Sequence, residues 1–226
     1  MKNNVINVFF VRHGETYFNF LKRYQGWADI DLTSRGIKEA KNVGQRLAKV
    51  HFKAAFSSDL NRAFKTGQII LNENESASAD LVPSKDFREV FFGSAEGLNR
   101  KDFNRIFNLT RKSGNLDHGQ LINKYGFMKL LDICKKNDPY HLAENSIEFK
   151  NRTNHGLIMI RETFKGGDNI LVVTHGTYIR SLAVRFGNYK LAEDAIQNAA
   201  ICKLILEPKK DGKTEIKVWN DTKKIW

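Results

Sequence analysis

Cysteine is scarce. Cys134 and Cys202 are the only two in 226 residues, and they form no CxxC pair and no disulfide framework. Free thiols in a reducing, cytoplasmic setting are expected. Long hydrophobic runs are absent too. The first apolar stretch, Val5 to Val11, is too short to cross a bilayer and runs straight into Arg12-His13, so neither signal peptide, anchor nor membrane partner is expected. No compact run of five basic residues occurs, and the aromatics are not spaced as stacking platforms. Nucleic-acid binding as a main role is therefore disfavoured, despite a formal net charge of +12. There is no Walker loop, no GxGxxG after a strand and no GxSxG elbow. Six histidines give no HxH or HExxH, and Arg12 beside His13 would repel a cation, so no metal and no cofactor are expected.

What is present describes a globular domain. A length of 226 residues fits one domain with a large insertion. At this size about 70% of the unfolded surface can be buried. Hydrophobic content of 41% and charged content of 27% are ordinary for such a chain. The basic excess is uneven. Residues 100–136 hold nine Lys or Arg against three Asp, which suits a solvated helical face or a lid over an anion site.

The apolar run Val5–Val11 reads as a buried strand that ends in Arg12-His13-Gly14. In open α/β sheets ligands bind at the carboxyl ends of strands. A guanidinium can hold phosphate oxygens bidentately, an imidazole can attack phosphorus, and Gly14 lets backbone approach the same anion. Asn19 to Asp31 reads as a loop beside the site. Helices are expected over about 34–50 and 60–72, with the short apolar run Ala54–Phe56 between them. Arg62, in the first turn of the second helix, is either a surface residue or faces an anion together with the helix amides. Residues 72–79 read as a loop. Glu89 precedes Val90-Phe91-Phe92. It is either a proton donor with a pKa raised by its surroundings or a structural carboxylate bonded to backbone amides.

From about 98 to 145 the strand signal vanishes. Two or three helices are expected there, broken at Gly114–Gly119 and Asp138-Pro139. A capped helix follows from Glu144-Asn145-Ser146 to about Phe164. A second apolar strand, Ile170 to Thr174, ends in His175-Gly176, with Thr177 capping a helix to about Phe186. Ala199–Leu206 is another strand, and Glu215–Trp219 returns antiparallel at the edge. Alternating strands and helices imply an α/β three-layer sandwich. Its sheet is mainly parallel with an antiparallel edge strand, and a helical insertion lies over the active site. His13 and His175 then share one sheet edge.

These residues in this order resemble the histidine phosphatase superfamily, also called phosphoglycerate-mutase-like. Arg12-His13-Gly14, continuing as Glu15-Thr16 and Asn19, is similar to its first motif. Arg62 in Ser57–Ala63 looks like its second phosphate-pocket arginine, Glu89 like its proton donor and His175-Gly176 like its second histidine. The resemblance implies metal-independent phosphoryl transfer. His13 would be the nucleophile, Glu89 the acid and base, and Arg12, Arg62 and His175 the oxygen clamps. Thr16, Asn19, Gly26, Arg100, Gly176 and Thr177 are the expected substrate contacts. Phe92 stands where the mutases usually carry tyrosine, Arg100 where lysine is usual and Thr177 where asparagine is usual, and the insertion has no adjacent arginine pair. The expectation is therefore a phosphatase acting on a small phosphate monoester. The alternatives are a mutase or a non-catalytic binder of phosphorylated ligands or nucleic acid.

Overall fold

A computed structural model describes residues 4–76, 79–109, 116–187 and 189–226. Gly114, where the first break in the insertion is expected, lies outside the described residues, as do residues 77–78 of the expected loop. Six strands form one sheet: β1 (Ile6–Arg12), β2 (Ala54–Ser58), β3 (Leu81–Ser84), β4 (Asn169–Thr174), β5 (Ile201–Leu206) and β6 (Thr214–Asp221). Their spatial order is β3-β2-β4-β1-β5-β6. The first four neighbours pair parallel, while β5 and β6 pair antiparallel.

Alternation along β1 builds both halves of the core. Phe9 and Val11 pack on one face with Val43 of α2 (Ser34–Arg46), with Leu47 that caps it, and with Ala63 and Ile70, which lie on the next long helix, Asn61–Asn72. Val8 and Phe10 pack on the other face with Leu157, Ile160, Tyr178 and Leu182. Those four belong to the helices Ser146–Thr163 and Gly176–Arg185. The side-chain period of two in a strand thus divides the helices into two layers.

In chain order the helices are α1 (Tyr17–Phe20), α2, α3 (Asn61–Asn72), α4 (Arg100–Ile106), α5 (His118–Tyr125), α6 (Phe127–Asn137), α7 (Ser146–Thr163) and α8 (Gly176–Arg185). Helices α4 to α6 are the inserted segment. They bury Phe103, Phe107, Leu121, Phe127 and Leu131 in a cluster of their own that also takes in Phe92.

Four details differ from the sequence reading. The loop after Asn19 begins with a one-turn helix, α1, held by a reciprocal cap between Thr16 and Asn19. Helix α2 stops at Arg46 instead of 50, because the Asn74 amide donates to the carbonyls of Leu47 and Val50 and so ends the ladder. Strand β3 was not expected. It is four residues long and contains Pro83, which a strand at the sheet edge tolerates. Thr177 is not a cap: helix α8 starts at Gly176, and its free amides find their acceptor in a distant residue.

Candidate active site

The parallel strands β1 and β4 pair in register, Arg12 opposite Thr174, so the residues that follow each leave the sheet side by side. This places the His13 and His175 rings 5.1 Å apart between centroids. His13 Nδ1 lies 2.8 Å from the Gly14 carbonyl. A carbonyl only accepts, so Nδ1 carries the proton and Nε2 keeps its lone pair. Arg62 Nε donates to that Nε2 at 3.3 Å. Burial, then the charges of Arg62 and Arg12, push the His13 pKa well below 6.5. The ring is held neutral, with a lone pair on Nε2 that could act as a nucleophile.

Arg62 is wholly buried, which decides against a surface role. Its Nη2 donates to the Gly26 carbonyl at 2.6 Å and its Nη1 to the Ala28 carbonyl at 3.1 Å. That loop is itself fixed. The Glu96 carboxylate accepts from the amides of Gly26, Trp27 and Ala28. A side chain at Gly26 has no room, since its Cβ would stand 2.2 Å from the Val90 carbonyl oxygen.

Arg12 donates from Nη1 to the Ile196 carbonyl at 2.5 Å, and makes no ion pair among the described residues. Its Nε is buried without a partner, as are both ring nitrogens of His175. Burial holds the Arg12 pKa down to about 10, with Glu89 acting against it. Burial, with Arg62 next, pushes His175 well below 6.5. A neutral imidazole carries one N–H, so Arg12 Nε and one ring nitrogen of His175 are buried donors without a partner, a pair suited to an anion. An added Cβ at Gly176 would meet Arg12 Nε at 3.3 Å, so glycine there leaves the guanidinium its place.

The backbone-bonded reading of Glu89 is what the structure shows, and its pKa is raised as well. Its Oε2 accepts from the Thr177 amide at 2.8 Å, and its Oε1 from the Tyr178 and Val90 amides at 2.9 and 3.1 Å. It is the missing cap of α8. Burial still raises its pKa, outweighing those amides and Arg62. The carboxyl thus retains its proton to higher pH than an exposed glutamate.

His13, Glu89, Arg12, Asn19, Gly176 and Thr177 line a cavity of about 200 Å³. Arg62 and His175 lie one layer deeper. The cavity opens into an outer one of about 550 Å³, where Arg100 lies. Thr16 and Gly26 reach neither cavity: Thr16 caps α1 and donates to Gln25 Oε1, while Gly26 supports Arg62. Sequence reading missed Arg23, Tyr24, His118 and Arg180, which line both cavities. For Arg180 a signal existed, since it stands four residues after Gly176 on one helix face. His118 is brought in by α5 and packs edge-on against Tyr24 and Phe92, an approach that only the insertion's fold reveals. Among the described residues no helix is long and apolar enough to cross a membrane.

Known proteins resemble this chain in sequence and fold. A "2,3-bisphosphoglycerate-dependent phosphoglycerate mutase" of Nautilia profundicola is 32% identical over 183 residues, 76% of this chain and 80% of the relative. A phosphoglycerate mutase structure from Bacillus anthracis superposes with a TM-score of 0.85 at 28% identity, covering 98% of this chain and 95% of the other. A mycobacterial glucosyl-3-phosphoglycerate phosphatase shares the fold, with a TM-score of 0.74 at 20% identity and coverage of 96% and 99%. The family model described as "Histidine phosphatase superfamily (branch 1)" matches residues 8–120 and 125–222. On the family model and the mutase relative, the chain belongs to the histidine phosphatase superfamily.

Proposed function

We propose that the chain is a metal-independent phosphatase that hydrolyses a small phosphate monoester through a phosphohistidine on His13. The observation that carries this is the unprotonated Nε2 of His13 at a cavity wall, with two unpartnered buried N–H groups, of Arg12 Nε and of the His175 ring, beside it. In the first step Nε2 attacks phosphorus. The N–P bond forms as the ester P–O bond breaks, and the Glu89 carboxyl passes its proton to the leaving alkoxide. Arg12, Arg62 and His175 take the charge on the three remaining oxygens. Glu89, now a carboxylate, then accepts a proton from water as the water oxygen attacks phosphorus. The N–P bond breaks, its electron pair returns to Nε2, and inorganic phosphate leaves.

Water as acceptor is supported by Phe92. Its ring packs edge-on to Tyr24 and Phe103 at 5.6 and 5.4 Å and offers no hydroxyl to a reoriented intermediate. A mutase is the second reading, favoured by the names of the relatives and by a basic rim at Lys22, Arg23 and Arg100 that suits a second anionic group. A panel of phosphate esters, run with and without phosphoglycerate and a bisphosphoglycerate primer, separates them. Inorganic phosphate release is expected, and isomerisation without release would overturn the hydrolase.

A further inference from the structure

The outer face of α1 has no part in the proposed reaction. Tyr17, Phe20 and Leu21 are 50%, 67% and 56% exposed. Their spacing of three and four puts them on one side of the turn. The other side is tied inward, with Asn19 Oδ1 accepting from Asn198 at 2.9 Å. Three large apolar side chains are thus exposed on the turn whose Asn19, with the following Lys22, lines the outer cavity. Scattered exposed apolar residues are ordinary, but a contiguous group beside a site marks a contact surface.

The charge around it selects the partner. Lys22 and Arg23 follow directly and are exposed; they line the outer cavity with Arg12, Arg100 and Arg180, which outnumber the acidic Asp117, Glu193 and Asp194 there. Lys22 has a φ of 55°, and Arg23 is fastened by a bond from Nη1 to the Gly97 carbonyl at 2.7 Å. The whole chain carries +12. A second copy would bring like charges together, and an acidic peptide would leave the apolar face unused. A surface that is anionic outside and apolar just beneath satisfies both features.

We infer that Tyr17, Phe20 and Leu21, with Lys22 and Arg23, form a peripheral docking surface for an anionic lipid bilayer, with the pocket mouth turned toward it. This runs against the expectation of no membrane partner, which rested on the first apolar run being too short to span; contact from one side needs no spanning helix. Docking stands independently of the catalytic reading. The consequence for substrate rests on that reading: a monoester held in the bilayer by an apolar tail.

The test is co-sedimentation with phosphatidylglycerol–phosphatidylcholine vesicles, and with phosphatidylcholine vesicles alone. Binding to the first only, weakened by salt, is expected. The double variant Phe20→Ser, Leu21→Ser should bind at least about tenfold more weakly, with hydrolysis of a soluble aryl phosphate unchanged. A separate Phe20→Trp variant should gain blue-shifted emission on anionic vesicles. No vesicle binding, equal binding by the serine variant, an unshifted Phe20→Trp spectrum, or a change of oligomeric state on serine substitution would overturn docking. Vesicle binding without any esterase activity would overturn the catalytic reading and leave docking intact.

Discussion

In the proposed mechanism His13 is the nucleophile, and two neighbours on opposite sides of its ring prepare it for that. The Gly14 carbonyl fixes the tautomer, and Arg62 approaches the free nitrogen while suppressing its protonation. The order of residues disclosed His13 and His175 because each ends an apolar strand. It left Glu89 open between two roles, since an acid and a helix cap look alike until the amides of Thr177 and Tyr178 are placed. Arg62 was open for the same reason: nothing local shows that its helix start faces the Gly26–Ala28 loop. In the proposed mechanism, Glu89→Gln removes the transferable proton and turns an amide NH₂ toward backbone donors. The kcat for alkyl phosphates should fall by roughly 10²–10⁴, and that for an aryl phosphate with a good leaving group by under about tenfold. Equal losses on both substrates would argue against proton donation by Glu89.

At the scale of elements, strands with strong apolar alternation and helices with amphipathic spacing were legible. Strand β3 was not, because four residues with a proline carry too little pattern and its pairing with β2 is non-local. The insertion was readable as helical, yet how it seats on the domain was not. Asp138 does part of that work. It is 1% exposed, and its carboxylate accepts from the amides of Ser94, Leu142 and Ala143, the last two at 2.7 Å. Burial alone would raise its pKa, but the bonds from Ser94 and these amides outweigh that and lower it. Asp138→Ala should destabilise the fold by about 2–4 kcal/mol, because it leaves several buried donors unpaired. Urea unfolding checks this, and an unchanged midpoint would contradict it.

For the whole molecule, the same burial that prepares the site makes stability depend on pH. His13 and His175 have native pKa values well below the ordinary 6.5, and desolvation with Arg180 takes His118 down to about 3. Below 6.5 the unfolded chain binds protons that the native site refuses. Stability should therefore be fullest above about pH 6.5 and fall steadily as pH drops toward the native values. His118 contributes less, being partly exposed. Glu89 acts oppositely, because its raised pKa favours the native state on protonation, but it is one group against two fully buried imidazoles. Melting temperature is expected to decline between about pH 7 and about pH 5, more so without phosphate, whose charge lets His175 keep a proton. A flat profile across that range would contradict the burial of both rings.

The most direct measurement is rapid quenching of the enzyme during turnover of a labelled monoester, followed by peptide mapping. The label should sit on the peptide containing His13, be lost in acid and kept in base, and be absent from His13→Ala, whose activity should fall by several decades at about 1.4 kcal/mol each. Turnover with no labelled intermediate, a label on another residue, or full activity in His13→Ala would contradict nucleophilic attack by His13.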